Sequence, residues 1–500
     1  MLSSLQLNAT LRKLATAFLL LFLPAMAHAE PMSLEQVVEQ VLSDHPDLAI
    51  GQVDSDIART DIQRSEGMLD PVVTAGISAI EDKTPASSSF QASKTQRGKL
   101  SAGISKPLAS GGTLSASGAF NSTKQTFSNP LAASFSLINP EYRNQFDISY
   151  RYPLLRGADR PDYHNALIAA DAGYQSTRLG QKITAHNLSL QALDVYYRLA
   201  SDDINIRIAA AAVKRAEQLL AYQHAREKFG LTEASDRLQA EALLAGRHAS
   251  LQQALASRAS DLTRLNRLML REPSRPIEVK VGDRALVAAP HLEDALSTSR
   301  QYRPEFKALQ ERLKAAEAQL KTAMDQDQMQ LDLVAQLGTR SLDGNASSAI
   351  RKSANINDHF ASLSIEVSDA LHRNTAHAAI RKAELARQRI LAEQTQLLEN
   401  TRNDLANIIT AIQTGLPTLT ALQAQARIEK QKFLTELRKY REGRSDTAKL
   451  VQFEGDLSNA ELQAELQRLN LELAERKLAW AEGQWPGGAD KASTAEANPS

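Results

Sequence analysis

From Pro161 to Phe229 the chain contains no further proline, and its only glycines are Gly173 and Gly180. Proline is at home in the first turn of a helix, where its missing N–H would have no partner anyway. The stretch therefore predicts one helix of roughly 65 residues, ~100 Å long at about 1.5 Å per residue. No ordinary globular core needs such a rod. Directly before it, Phe146, Ile148, Tyr150 and Tyr152 alternate with Asp147, Ser149 and Arg151, the period-two mark of a strand with one apolar and one polar face. Pro153-Leu154-Leu155-Arg156-Gly157 separates the two. A short strand joined to a very long helix suggests a strand in one medium and a rod crossing another.

Composition narrows the class. Basic and acidic side chains balance at 58 each, so no basic field invites nucleic acid. The absence of cysteine excludes disulfides, thiolate metal sites and a lipid-anchored N-terminal Cys. Arg12 and Lys13 precede an apolar run, Leu14 to Leu23, and then Pro24 and Ala27-His28-Ala29. This reads as a secretory signal over 1–29, cut after Ala29, too short to span a bilayer. No later stretch offers 18 consecutive apolar residues. If the chain crosses a membrane, strands must do it.

In chain order, 30–70 reads as opening helices, with Ser33 as N-cap, Gln36 three residues on, and a turn at His45-Pro46-Asp47-Leu48. Residues 71–156 read as strands and loops. Val73, Ala75, Ile77 and Ala79 form one strand; Leu100, Ala102 and Ile104 a second; Leu114, Ala116, Gly118 and Phe120 a third, after the hairpin signal Ala109-Ser110-Gly111-Gly112. Polar loops are expected at 82–98 and 121–145. Eight aromatics between 71 and 157 (Phe90, Phe120, Phe127, Phe135, Tyr142, Phe146, Tyr150, Tyr152) fit the interfacial girdles of a membrane β-structure. A long helical hairpin is expected over 157–272, with a seven-residue seam at Ala192, Leu199, Ile206, Val213 and Leu220 and a stop at Gly230. Residues 273–290, with Pro273 and Pro276, read as a linker.

Then the order repeats. Ser33 through Leu48 lines up with His291 through Phe306, 258 positions later, so that His45-Pro46-Asp47-Leu48 matches Arg303-Pro304-Glu305-Phe306. Opening helices are expected over 291–329. Strands and a loop occupy 330–371, with Leu331, Leu333, Ala335 and Leu337, a polar loop at 340–358, then Ala361, Leu363, Ile365 and Val367. The second helical hairpin covers 372–484, with Leu391, Leu398, Leu405 and Ile412 in one arm and Leu450, Leu457, Ala464, Leu471 and Leu478 in the other. A break or kink is expected at Gly415-Leu416-Pro417 and a stop at Gly443. Residues 485–500 read as a disordered tail. Duplication of this kind governs the fold assignment.

These residues resemble the TolC-type outer-membrane channel family (outer-membrane efflux proteins) over essentially all of 30–485. The carriers are Ser33-Leu34 with His45-Pro46-Asp47-Leu48, Leu292 with Arg303-Pro304-Glu305-Phe306, Tyr152 to Gly157, and the turn from Gly230 to Glu241. The resemblance implies an α+β membrane protein, internally duplicated, in which a long α-helical coiled-coil barrel continues into a trimeric transmembrane β-barrel. It implies a homotrimer in outer-membrane lipid, with a periplasmic part meeting an adaptor protein and an inner-membrane transporter. The docking tip would comprise Gly230, Thr232, Asp236, Gly443, Arg444 and Asp446, and the strand-to-helix junction Pro153, Leu154, Leu155, Arg156 and Gly157. Two departures stand out. The first half offers four strands against the family's two per half, so that 99–120 either join the barrel or form an external hairpin. The second tip has Ala448, Lys449 and Gln452 where the family often carries aspartates, although Asp236 at the first tip matches.

No catalytic constellation is expected, and no cofactor or metal. Met324-Asp325-Gln326-Asp327 begins like a calcium loop but lacks the later Gly and bidentate Glu. His372 and His377 miss the i, i+4 spacing of a zinc helix, and no phosphate loop or serine elbow occurs. The functional expectation is a passive exit duct of a tripartite efflux or type I secretion system. The alternative class is a secreted or periplasmic coiled-coil scaffold or adhesin that never inserts. A proline at Ala210 interrupts the first rod and is expected to abolish assembly; normal oligomers of Ala210→Pro on a native gel would count against the rod.

Overall fold

The computed structural model describes residues 30–485 except 86, 89, 136–137, 231–232, 282–288 and 355–357. The expected signal, nearly all of the expected tail, and Thr232 lie outside the described residues.

The chain opens with β1 (Glu30–Met32), α1 (Leu34–Asp44) and α2 (Pro46–Glu66). Ser33 and Gln36 form a reciprocal capping box at the start of α1, satisfying two amides that the helix itself cannot. Strands β2 (Val72–Asp82), β3 (Ala92–Pro107) and β4 (Thr113–Phe127) follow, then the short α3 (Pro130–Ser134) and β5 (Glu141–Pro153). Next come the 67-residue α4 (Pro161–Glu227), α5 (Ala234–Leu268) and β6 (Ile277–Val279). The second half supplies α6 (Leu292–Tyr302), α7 (Pro304–Gln326), β7 (Gln330–Asp343), α8 (Ala346–Ser353) and β8 (His359–Ser368). It closes with the 68-residue α9 (Asn374–Arg441) and with α10 (Thr447–Ala481). The duplication extends to backbone angles. Helices α1 and α6 each have 11 residues and end on residues of near-identical conformation, His45 (φ −66, ψ 128) and Arg303 (φ −67, ψ 128).

The chain divides into two compact units. One comprises Val53–Leu179 and Lys307–Thr395 and holds the six-stranded antiparallel sheet, in the order β2-β3-β4-β5-β7-β8. The expected loops at 82–98, 121–145 and 340–358 are therefore too long. Strand β3 begins at Ala92, β4 runs to Phe127, β5 starts at Glu141, and α8 occupies part of the third loop. Their Ser, Thr and charged residues read as loop because a strand with water on one face needs few apolar side chains.

The other unit comprises the described residues of Met1–Gln52, Gly180–Phe306 and Gln396–Ser500. Its largest core gathers Val37 and Val38 of α1, Leu193, Tyr196 and Leu199 of α4, Leu265 of α5 and Trp480 of α10. Each such aliphatic side chain contributes about 1.5–3 kcal/mol on burial. The expected linker contains a strand, for β6 pairs in parallel with β1. The Tyr196 hydroxyl donates to the Lys280 carbonyl at 2.8 Å and accepts from the Lys280 amide at 3.0 Å, fixing that ribbon on α4. Burial pushes the Tyr196 phenol up to about 12.

The expected seam is buried throughout in one arm and in part in two others; in α9 Leu405 and Ile412 are buried, Leu398 is half-buried and Leu391 exposed. Leu450, Leu457, Ala464, Leu471 and Leu478 of α10 are all buried, as a heptad requires. In α4 Ala192, Leu199 and Val213 of the expected seam are buried and Ile206 and Leu220 half-buried, while a second buried row steps by four through Leu188, Ala192, Tyr196, Ala200, Ile204, Ile208, Ala212 and Ala216. Steps of four drift round a 3.6-residue helix, so α4 turns successive faces inward rather than keeping one stripe. Nor does α9 break: Pro417 lies inside it. The Thr418 hydroxyl donates to the Thr414 carbonyl at 2.7 Å, and Gln467 of α10 donates to the Gly415 carbonyl at 3.3 Å. A Cβ on Gly415 would stand 2.5 Å from Leu471 Cδ2, so glycine allows the two helices to meet closely here. By composition α9 also contains an 18-residue window of mean hydropathy 1.2, only 28% buried; the consecutive-run criterion misses it because polar residues interrupt the apolar ones.

His186 is 4% exposed, and its Nε2 donates to the Trp480 carbonyl at 3.0 Å. Burial lowers its pKa from the ordinary 6.5, the Trp480 bond opposing. The unfolded chain therefore takes up this proton first as pH falls. The contribution is fully present above about 6.5 and is lost as pH drops through the lower folded value. Thermal melts between pH 7.5 and 5 are expected to lose stability with acid, with a shallower loss in His186→Gln; parallel curves would rule this out.

Candidate functional site

The sheet is two-faced across all six strands. In register from β2 to β8, Val73, Ile104, Ala116, Ile148, Leu337 and Ala361 form one apolar row. On the opposite face Ser105, Ser115, Ser149, Gln336 and Ser362 form a polar row over the five strands from β3 to β8, with Val72 of β2 opposite Ser105. The apolar face is bare within one chain: Ile77 is 86% exposed, Leu363 72% and Leu337 63%. So large an exposed apolar surface marks contact with a partner or a membrane. On the polar face Arg151 bridges Asp332 and Glu366, both at 2.7 Å.

The five expected junction residues act together. Pro153 ends β5 opposite Asp332, the Leu154 amide donates to the Leu331 carbonyl at 2.7 Å, and Leu155 is partly exposed. The Arg156 guanidinium donates to Gln330 Oε1 at 2.5 Å. Gly157, at φ 83, donates its amide to both carboxylate oxygens of Asp325 at 3.1 and 3.2 Å. Burial raises the Asp325 pKa, against the pull of that amide. The calcium-like Met324–Asp327 stretch thus has a structural use: Asp325 anchors the turn leading from β5 into α4.

Of the expected tip residues, the described ones, Gly230, Asp236, Gly443, Arg444 and Asp446, lie at helix ends of the helical unit. Gly230 (φ 67) and Gly443 (φ 73) terminate α4 and α9 in the left-handed conformation that glycine favours. The Gly443 amide donates to the Tyr440 carbonyl and the Arg444 amide to that of Lys439, at 3.0 and 2.8 Å, a Schellman closure. Asp446 caps α10, accepting from the Lys449 amide at 2.7 Å, and the Arg444 side chain pairs with Glu442. Asp236 lies in the first turn of α5. Glu436 accepts from the Ser445 hydroxyl at 2.5 Å and lies 3.3 Å from the Lys449 ammonium; these hold its carboxyl below the usual range.

Two buried polar groups behind the tip escaped the sequence reading. Gln223 of α4 donates to the Tyr440 hydroxyl of α9 and, at 2.7 Å, to the Thr447 hydroxyl of α10. Burial raises the Tyr440 pKa. Deeper, Glu454 of α10, 4% exposed, accepts from Arg215 of α4 at 3.1 Å and from Arg247 of α5 at 3.1 Å. The Ser458 hydroxyl donates to it at 2.8 Å. A cavity of about 200 Å³ beside these groups is lined by Leu219, Tyr222, Phe433 and Tyr440 among others. The one available signal was a charge among apolar heptad positions: Glu454 lies between Leu450 and Leu457.

No family model and no curated protein matches the sequence. Solved structures do match in fold. The Campylobacter jejuni CmeC outer membrane channel aligns with 93% of this chain and 88% of its own, at TM-score 0.65 and 14% identity. The outer membrane protein VceC of Vibrio cholerae aligns over 90% and 96%, at 0.64 and 16%. The open state of the Neisseria gonorrhoeae MtrE outer membrane channel aligns over 91% and 90%, at 0.61 and 18%. The chain therefore has the fold of these outer-membrane channels, as the resemblance to the TolC type led us to expect.

Glu454 is the only carboxylate between the two guanidinium groups in this cluster. Its replacement in Glu454→Ala removes the carboxylate that the two share, leaving Arg215 with Glu461 at 4.0 Å, and is expected to cost about 3 kcal/mol. Replacing Arg215, Arg247 and Glu454 together by Met, Met and Leu should recover most of that loss, as read by thermal unfolding in detergent.

Proposed function

We propose that the protein is the outer-membrane exit duct of a tripartite efflux or type I secretion system, passively conducting cargo from an inner-membrane transporter to the outside. One observation carries the reading: a sheet with a bare apolar face, a continuous polar face and two unpaired edges suits a barrel wall between lipid and water. Likeness in fold to outer-membrane channels supports it. In this reading the protein is a homotrimer in outer-membrane lipid, with a long periplasmic helical portion. The turns holding Gly230, Thr232, Asp236, Gly443, Arg444 and Asp446 dock a periplasmic adaptor. The protein is not an enzyme: the transporter supplies the energy.

The Gln223, Tyr440 and Thr447 hydrogen bonds tie three helices together at the end where passage would be controlled. Helix rearrangement there opens the duct. In planar bilayers the purified protein is expected to form detergent-dependent trimers that conduct. Gln223→Ala, which removes both hydrogen bonds, should raise single-channel conductance. A soluble, non-conducting monomer would refute the duct and leave a periplasmic scaffold.

A further inference from the structure

We infer that the hairpin β3–β4 is part of the barrel wall, so that three copies of this chain close an eighteen-stranded barrel by pairing the β2 edge of each copy with the β8 edge of the next. The inference rests on the channel reading and departs from the family pattern of two strands per half, which three copies would close with twelve.

Strand pairing places the hairpin within the wall. Strand β2 pairs with β3 from Val72↔Ser105 to Asp82↔Thr95, and β4 pairs with β5 from Thr113↔Arg151 to Thr123↔Glu141. The two outer strands therefore have no direct pairing with each other. Both rows of the sheet pass unbroken through the hairpin, with Ile104 and Ala116 on the apolar face and Ser105 and Ser115 on the polar one.

The turn of the hairpin is also built into the junction. Gly111 has φ 96, and a Cβ there would lie 2.9 Å from the Asp159 amide nitrogen and 3.0 Å from the Gly157 carbonyl oxygen. At Gly112 a Cβ would fall 2.5 Å from the Tyr150 hydroxyl. An external arm would not need its turn pressed so closely against the backbone that leads into α4.

Six strands cannot close on themselves, since the smallest membrane barrels have eight. Alternation along the sheet makes β2 and β8 antiparallel, so a β8 edge receives the β2 edge of another copy with the alternation intact. With strands ~4.8 Å apart and tilted ~40°, eighteen give a backbone diameter of ~36 Å and twelve ~24 Å.

The chain has no cysteine, so engineered pairs report cleanly. In vesicle-inserted protein, Ala75→Cys with Ala102→Cys, and Ala116→Cys with Ile148→Cys, are expected to form disulfides within one chain. Ala75→Cys with Ile148→Cys, which would join β2 directly to β5, should not. A cysteine scan of residues 74–80 against Leu363→Cys should yield a cross-linked ladder ending at the trimer. Deleting residues 91–128 should shrink the barrel seen by electron microscopy by about one third in diameter. A β2–β5 disulfide, or a ladder ending at the dimer, overturns the inference while leaving an inserted channel standing. Protein that never floats with vesicles ends both readings.

Discussion

Among the described residues, backbone amides and carbonyls on the outer edges of β2 and β8 find no strand partner within one chain, because β2 pairs only with β3 and β8 only with β7. In water such an edge is an aggregation hazard. In hydrocarbon each unpaired group costs several kcal/mol. The same strands carry Ile77 and Leu363, whose exposure would be unfavourable in water. Edge and face thus set two demands at once, an apolar solvent on one side and strand partners at both ends. A closed ring of copies set in lipid, with the Ser-rich face turned to water, meets both.

Much of this was legible in the sequence, and the parts that were not have physical reasons. The duplication was readable because helix starts are written in local chemistry: Pro46 and Pro304 occupy first-turn positions, and Ser33 with Gln36 forms a capping box. Strand lengths were underestimated because Thr95, Arg97 and Lys99, or Asn121 and Thr123, belong to a strand whose polar face meets water. Period-two alternation weakens there as Lys94 and Lys124 enter at the strand ends. The β1–β6 pair was hidden because three-residue strands have no periodicity to detect. At Pro417 the local rule for a helix break lost to tertiary packing against Leu471 and Gln467.

At the candidate tip, turn-forming residues were legible and the groups holding the turns together were not. Gly230 and Gly443 announce themselves as helix stops. Nothing local says that Gln223 faces Tyr440 and Thr447, which lie 217 and 224 residues away along the chain. Buried polar contacts of this kind add modest net stability, about 1 kcal/mol for each hydrogen bond. They set which helix faces which, because a slipped helix would strand Gln223 or Glu454 without partners. That makes the arrangement behind the tip specific, with one pairing of helix faces satisfying both groups.

The added strands fit the fold because they come as a pair. Strand β2 leaves α2, and β5 must deliver the chain to the junction where Gly157 meets Asp325. Those two strands therefore have to run in opposite senses. A single inserted strand would reverse the sense of β5 and carry it away from that junction. A hairpin restores the sense, and with the register found here it also keeps apolar side chains opposite apolar ones from Val73 through Ile104 and Ala116 to Ile148. Growth by two strands keeps the sense in which the chain enters α4, and in a closed wall it widens the circumference. An antiparallel wall flanked by long helices can consequently vary its width in even steps, while the elements on either side of it keep their connections.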